Sequence, residues 1–377
     1  MEAKKTLSPV DYAVFALSLI IALGIGVWGA VTGTKMSAED SLASAKGVKL
    51  VPITLSLLAT YLSAVTLVGV PAEVYANGSQ WALQPLGAAL GILISAYLVI
   101  PLMYNLRMSS LFEYLERRYR SRFVRIMGVA LYGVFNLLYM GVALYAPVLA
   151  ISSAAEFPQW IGILLAGGVC TVYTVIVWTH CVYQKDMEVE QLDIWQGNWR
   201  GSDALMGGLR AVIWTDVFQM IVMVMGMIAI IVSGCFHVGG LGRVLEIAHE
   251  FSRTSVFEFS FDPYMRHTTW MILGNSIVLW VGVHGTNHAS FQRYNSLPTV
   301  EAAQRSILLN APGSIIAVWM SILAGISIFA FYAHCDPLKA GVIKRPDEIV
   351  PYYVLNELSA IYGLPGLFLA CLFSGAL

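Results

Sequence analysis

The chain has 377 residues, of which 58% are hydrophobic and only 12% are charged, whereas an ordinary soluble domain carries about a quarter charged residues. This composition excludes a water-soluble globule. A mean hydropathy of +0.70 also excludes a disordered chain, because disorder requires low hydrophobicity and high charge. The net charge of −1 offers no basic surplus for nucleic acid. The five cysteines are widely scattered and match neither a disulfide framework nor a CxxC metal site.

Apolar runs of about 20 residues, the length needed to cross about 30 Å of hydrocarbon, recur along the chain. Eight are predicted to be transmembrane helices, at residues 10–30, 51–76, 83–106, 123–152, 160–177, 208–234, 269–285 and 307–333. A ninth begins near residue 362 and stops after about 16 residues, fewer than a span needs, so we expect the chain to be truncated inside this helix. The first run is longer than the apolar part of a signal peptide and lacks an A-x-A site, so we interpret it as a retained span.

The charges of the loops predict how the spans are oriented, because cytoplasmic loops carry an excess of Lys and Arg. With the N-terminus outside, 14 of the 22 basic residues face the cytoplasm; six of them lie between residues 107 and 125, and Arg293 is counted in a later cytoplasmic loop. We therefore predict a multi-pass plasma-membrane protein with an extracellular N-terminus, in which the first span (10–30) is peripheral.

One carboxylate is predicted to lie well inside a span. Asp216 belongs to the run 208–234, and an intramembrane charge costs at least ~2.5 kcal/mol on insertion scales, so its presence suggests a function. Gln219 follows three residues later, on the same face of the helix. We interpret the pair as hard oxygen ligands for a small cation. The alternative is a hydrated or capping carboxylate near the cytoplasmic interface.

Two spans carry signals of a broken helix, which is tolerated at mid-membrane only where the unwound backbone lines a cavity. The second span has three hydroxyl residues followed by a glycine and a proline within 59–71, and the seventh has two glycines among polar side chains within 280–288. The two spans lie five apart, so they would open a first five-helix repeat at 51–234 and a partial second repeat at 269–377. This pattern predicts an inverted-repeat transporter, although small residues also serve plain helix packing.

Several stretches resemble the sodium/solute symporter family, in particular its sodium-coupled monocarboxylate, multivitamin and iodide branch. They are SAVTLVGVPAEVY (63–75), GVALYAP (141–147), GLRAVIWTDVFQ (208–219), FDP (261–263), QRY (292–294), CDP (335–337) and LPGLF (364–368), in family order. The resemblance implies a single all-α transmembrane transporter domain with a LeuT-type inverted-repeat fold, incomplete at the C-terminus. In that fold, sodium and substrate bind between the broken helices.

The resemblance also implies a set of sodium-binding residues. The backbone carbonyls of Ala59 and Leu62 would be ligands of the sodium site that is shared across this fold. Thr60, Asp216 and Gln219 match positions that are implicated in handling sodium or substrate in this branch.

A second implied set lines the substrate pocket. Thr66 and His288 fall where relatives such as the iodide carrier have glutamine, which leaves the identity of the substrate open at both positions. Trp280, His284 and Asn287 would line the pocket beside them. His284 and His288 are four residues apart, but no third ligand has a useful spacing, so we predict no metal site beyond sodium.

Two segments depart from the family pattern. The polar stretch 177–206 separates two helices that follow each other within a few residues in the family. A translated intron or gene-model error is our leading interpretation, and a true cytoplasmic insertion is the alternative. In the family, the ninth span also continues into a serine/threonine pair whose hydroxyls complete the shared sodium site. We therefore expect this chain to lack a complete sodium site.

These features predict a sodium-coupled symporter of small organic anions, monocarboxylate or vitamin-like, that works by alternating access and is inactive as the truncated chain. Sodium is the coupling ligand, no cofactor is expected, and the partners are the anion, sodium and the bilayer. Each net charge moved gains about 2.3 kcal/mol per 100 mV, so voltage-driven anion uptake needs at least two sodium ions. The alternatives are a non-transporting sensor or regulatory fragment and a sodium-coupled carrier of a neutral solute such as a sugar. No catalytic motif indicates an enzyme, and the oligomeric state is left open.

Overall fold

The computed structural model describes residues 7–32, 50–106, 108, 110–155, 158–164, 166–168, 171, 202–262, 264–295 and 297–375. All the regular secondary structure in these ranges is helical, which confirms the prediction of an all-α protein. Of the predicted insertion 177–206, residues 177–201 lie outside the described residues. The division into repeats at 51–234 and 269–377 stays a prediction.

The described helices follow the predicted spans in order. They are α1 (Pro9–Thr32), α2 (Leu50–Tyr61), α3 (Ala64–Asn77), α4 (Ser79–Asn105), α5 (Leu111–Tyr119), α6 (Arg122–Ala155), α7 (Gln159–Gly168), α8 (Ser202–Val238), α9 (Leu241–Glu250), α10 (Thr269–Val281), α11 (His288–Asn295), α12 (Val300–Tyr332), α13 (Ile349–Asn356) and α14 (Leu364–Ser374). By length and composition, α4, α6, α8 and α12 can each cross a membrane, and α2 with α3 can form a fifth, bent span.

The break predicted in the second span lies between α2 and α3. The two halves are bent by 56°, and Ser63 between them has an extended backbone (φ −84°, ψ 163°). Pro71, which the sequence analysis associated with the break, lies inside α3. The span therefore contains two helix ends in its middle, the C-terminal end of α2 and the N-terminal end of α3.

The seventh span is also broken, but it is longer than predicted. Helix α10 ends at Val281, a π-helical turn covers Gly282–Thr286, and Asn287 is extended (φ −77°, ψ 131°) before α11 begins. The prediction that the seventh span ends at residue 285 is therefore wrong, because a second half-helix follows the break and ends at Asn295. The second half, with the sequence HASFQRYN, is too polar and too short to be found by a search for apolar runs.

Helices α4 and α10 approach each other closely through glycine. A Cβ atom on Gly91 would lie 2.7 Å from the carbonyl oxygen of Ile277, and one on Gly87 would lie 2.6 Å from the Cβ of Ser276. Gly87 and Gly91 are four residues apart, the small-xxx-small spacing that brings membrane helices together. The third span and the first half of the seventh are thus packed as one unit.

A buried carboxylate ties the first span to α14. Asp11 is 3% exposed, and its Oδ1 accepts hydrogen bonds from the backbone N–H groups of Gly363 (2.9 Å) and Gly366 (3.3 Å). Its Oδ2 accepts from the N–H and hydroxyl of Ser8. N–H groups at the start of a helix have no partner within the helix, so α1, predicted as a peripheral span, supplies the cap of α14.

Replacing Asp11 with alanine is expected to lower the stability of the folded chain by about 0.5–2 kcal/mol, the usual cost of losing a helix N-cap. The reason is that the N–H groups of Gly363 and Gly366 lose their acceptor. Thermal unfolding of the detergent-solubilised chain measures the change. Asp11→Asn is the control, because its amide oxygen can still accept both glycine N–H groups; a loss as large as that of Asp11→Ala would contradict the capping role.

Candidate functional site

The junction between α2 and α3 contains the positions that the resemblance assigns to sodium. Leu62 and Ser63 are 6% and 8% exposed, and Ala59 is partly buried. The end of α14 lies against this junction: the N–H of Ala64 donates to the carbonyl of Gly375 at 3.2 Å. The structure thus places the ninth span at the break, whereas the side chain of Thr60 lies outside the described residues.

Gln219 lies on α8, a helix that packs against α2. The residue is 5% exposed, and its amide makes no hydrogen bond within the described part of the chain. Its neighbour Met220 belongs to the same buried cluster as Leu62 and Ala64. A buried amide oxygen is suited to bind a cation, and Gln219 as a sodium ligand stays a prediction.

Asp216, by contrast, is paired with a buried arginine. Its Oδ2 accepts a hydrogen bond from Nη2 of Arg293 at 3.0 Å and another from the hydroxyl of Ser56 at 2.5 Å. The Nε of Arg293 donates to the Ser56 hydroxyl oxygen at 3.0 Å. Ser56 and Arg293 are 0% and 8% exposed. We refer to these three residues as the Ser56–Asp216–Arg293 cluster.

The cluster corrects one premise of the sequence analysis, which treated Asp216 as an unpaired acid and Arg293 as a cytoplasmic loop charge. Arg293 lies on α11, the half-helix that the hydropathy pattern missed, and therefore points into the bundle. A carboxylate beside a guanidinium already has its counter-charge. A sodium ion would have to compete with Arg293 for the carboxylate of Asp216. The role of Asp216 as a sodium ligand stays a prediction.

The predicted substrate residues fall into separate environments. Trp280 and His284 lie one helical turn apart at the start of the π-helical turn, with ring centroids 5.3 Å apart and exposures of 8% and 0%. Thr66 is half-buried in the first turn of α3. The three residues lie next to the two helix breaks, and their place in one substrate pocket stays a prediction.

Asn287 and His288 do not join the other predicted substrate residues. The side-chain oxygen of Asn287 accepts the N–H of Ala289 at 2.9 Å, so it caps α11. The ring of His288 lies 5.2 Å from that of Phe112 and 6.1 Å from that of Tyr132, between α5 and α6. Asn287 and His288 therefore do not share a location with Trp280, His284 and Thr66, and the structure does not support their predicted role in the substrate pocket.

The opposite end of α3 carries a polar cluster that the sequence analysis did not anticipate. Glu73 accepts hydrogen bonds from Arg266 (2.9 and 2.7 Å), His267 (2.9 Å) and Asn77 (2.7 Å). The hydrogen bond to Glu73 raises the pKa of Arg266. Because Arg266 and His267 precede α10 in a polar loop, no periodicity in the sequence indicates that they meet Glu73.

Comparison with known proteins agrees with this architecture. The sequence profile of the "Sodium:solute symporter family" matches residues 42–182 and 204–377, and the unmatched residues 183–203 fall inside the predicted insertion. A solved structure described as "Substrate-bound outward-open state of a Na+-coupled sialic acid symporter reveals a novel Na+-site" superposes with a TM-score of 0.78 at 21% identity. The match covers 98% of this chain and 71% of that one, which confirms the predicted LeuT-type fold.

Three relatives illustrate the branch of the family. The human "Sodium/iodide cotransporter" is 36% identical over 368 residues, 97% of this chain and 52% of its own. The bovine "Sodium-coupled monocarboxylate transporter 2" is 35% identical over 368 residues, 97% of this chain and 55% of its own. The rabbit "Sodium-dependent multivitamin transporter" is 38% identical over 373 residues, 99% of this chain and 54% of its own.

The chain spans about half the length of these relatives, and the match extends over nearly all of its own residues. The family profile matches well over half of the chain on both sides of the unmatched segment. This chain therefore belongs to the sodium:solute symporter family, whose members are sodium-coupled membrane transporters and not enzymes.

Proposed function

We propose that this chain forms the ion- and substrate-binding part of a sodium-coupled symporter of small organic anions. The transporter works by alternating access in the plasma membrane, with its N-terminus outside. The observation that carries the proposal is the break between α2 and α3, where Gly375 at the end of α14 contacts Ala64. Relatives named for iodide, monocarboxylate and multivitamin transport support an anionic substrate.

The sodium site would use the C-terminal end of α2. The last carbonyl groups of a helix have no partner within the helix and carry its partial negative charge, and half-helix ends of this kind coordinate sodium in transporters. The carbonyls of Ala59 and Leu62 are in this position, and Gln219 adds an amide oxygen from α8. Thr60, whose side chain lies outside the described residues, remains a proposed fourth contributor.

The substrate site would use the N-terminal end of α3 together with the first half of the seventh span. A helix N-terminus carries a partial positive charge, and the Ser63 side chain makes no capping hydrogen bond at this position. An anion bound there would lie near Thr66, and Trp280 with His284 would form an aromatic wall. A neutral solute would gain less from the positive helix end, so this geometry favours the anion.

Sodium binding and solute uptake by the purified chain test the proposal. Uptake of labelled lactate, iodide and biotin into proteoliposomes is compared in sodium and choline media, and binding of ²²Na⁺ is measured on the same preparation. Sodium-dependent uptake of an anion supports symport. Sodium binding without uptake agrees both with the predicted inactivity of this chain and with the sensor or regulatory alternative. The absence of both contradicts the proposed function of this chain.

Gln219→Ala is expected to raise the sodium concentration needed for half-maximal ²²Na⁺ binding by about tenfold, which corresponds to about 1.4 kcal/mol of lost binding free energy. The substitution removes a buried oxygen next to the helix break while the carbonyls of Ala59 and Leu62 remain. Gln80→Ala, in the first turn of α4, is the control and should bind sodium like the parent chain. Equal sodium affinity in all three proteins would remove Gln219 from the site.

A further inference from the structure

The Ser56–Asp216–Arg293 cluster joins three separate elements of the bundle. Ser56 lies on α2, Asp216 on α8 and Arg293 on α11. One Arg293 guanidinium donates to both of the other side chains, at 3.0 Å each. Because Ser56 and Arg293 are buried and only 15% of the Asp216 side chain is exposed, water offers these groups few equivalent partners, and the contact holds the three helices together.

Two of the three elements are half-helices with a hinge at their inner end. Helix α2 is separated from α3 by the bend at Ser63, and α11 is separated from α10 by the π-helical turn and the extended residue Asn287. Helix α10 is locked to α4 through Gly87 and Gly91. Helices α2 and α11 can therefore turn at their hinges while their other halves stay in place.

Neighbouring contacts show at which end of the molecule the cluster lies. The hydroxyl of Tyr104, at the end of α4, donates to the carbonyl of Leu297 just beyond α11, at 2.8 Å, and Phe112 of α5 contacts His288. This end carries the arginine-rich segment 107–125, predicted to be cytoplasmic. Glu73 and Arg266 mark the opposite end, where α3 finishes.

We propose that Arg293 is a latch that keeps the cytoplasmic ends of α2 and α11 closed against α8. While Arg293 bridges Asp216 and Ser56, the path from the helix breaks to the cytoplasm is shut. Opening that path requires the guanidinium to leave both partners. Arg293 is therefore a positioning residue, which acts through the helices that it holds. The proposal rests on the proposed function only in taking the cytoplasm as the side to which the path opens.

The latch is tested by the accessibility of a cysteine placed behind it. Ala59→Cys lies on α2 three residues beyond Ser56 and before the break at Ser63, where Ala59 is partly buried, in a chain whose five native cysteines have been replaced. Arg293→Met should raise the rate at which a membrane-impermeant thiol reagent modifies this cysteine from the cytoplasmic side. The expected increase is about tenfold, the change that results if an open state populated at about one tenth becomes dominant.

A second cysteine separates opening of a gate from general loosening. Thr66→Cys lies on α3, on the other side of the break, and is probed from the extracellular side. In alternating access the two sides do not open together, so Arg293→Met should lower the modification rate at Thr66→Cys while raising it at Ala59→Cys. An increase at both positions would show a merely structural role and would overturn the latch.

Two further variants complete the test. Asp216→Asn combined with Arg293→Met leaves no unpaired buried charge, so it keeps the chain folded, and it should give the same reciprocal change as Arg293→Met alone. Arg305→Met is the matched control, because Arg305 is exposed at the same end and forms no ion pair with a described residue. Unchanged rates in the double variant, or equal changes in Arg305→Met, would overturn the proposal.

The accessibility result and the sodium-binding result are independent. Loss of ²²Na⁺ binding in the parent chain would contradict the proposed function without altering the rates measured behind Arg293. Normal sodium binding together with unchanged accessibility in Arg293→Met and in the double variant would retain the transporter and reject the latch.

Discussion

Arg293→Met is expected to lower the stability of the folded chain by about 3–5 kcal/mol, the cost of leaving one member of a buried ion pair without its partner. The substitution keeps a long apolar side chain on α11 but removes the donors that reach Asp216 and Ser56. Asp216 then remains as an uncompensated carboxylate inside the bundle. Asp216→Asn should be destabilising as well, because it strands the guanidinium instead.

The double variant Asp216→Asn with Arg293→Met provides the decisive comparison. Replacement of a complete buried ion pair is often neutral or even stabilising, by about 1–4 kcal/mol. We therefore expect the double variant to unfold close to the parent chain, although each single substitution is severe. Thermal unfolding in detergent at fixed salt and pH measures all four proteins. Additive losses in the double variant would contradict the description of Asp216 and Arg293 as one electrostatic unit.

Gly325→Val is expected to destabilise the folded chain strongly. An added Cβ would lie 2.7 Å from the carbonyl oxygen of Pro71, 2.9 Å from the Cα of Pro71 and 2.9 Å from the Cβ of Val74. Two of these neighbours are backbone atoms, which cannot rotate away. Helix α12 would have to move off α3, at a cost of about 1–3 kcal/mol for overpacking and more if the displacement spreads.

Gly274→Val is the matched control for Gly325→Val. Gly274 also lies within a helix, α10, but a Cβ there meets no atom within 4 Å. The change in helix propensity is the same in both variants, so the difference between them isolates the contact with Pro71. Thermal unfolding and the yield of monodisperse protein measure it. Similar losses in both variants would show that close packing of α12 on α3 is not the cause.

The fold could be predicted from the sequence because hydropathy reports on length and apolarity, which set the spans. The break near Ser63 was indicated by hydroxyl residues close to Gly69 and Pro71. The prediction failed at α11, since a half-helix that faces protein on all sides needs neither length nor hydrophobicity. Arg293 was consequently counted among the loop charges.

The candidate site could be predicted less completely, because contacts between distant residues leave no periodic signal. Asp216 was found through its rarity inside an apolar span, but its partners lie 160 and 77 residues away. Asn287 was assigned to a pocket from the family resemblance, although an asparagine after a helix break also suits a cap. Its side chain satisfies the local backbone of α11.

The hydrogen bonds between Asp11 and the start of α14 bear on how the chain is assembled during synthesis. Asp11 and Gly363 are separated by 352 positions, and at about 5–20 residues per second the ribosome needs roughly 20 to 70 seconds to cover that distance. Throughout this interval the carboxylate has Ser8 but lacks its glycine partners. Helix α1 is thus complete long before it can make its final contacts, and Asp11 has to remain hydrated until α14 arrives.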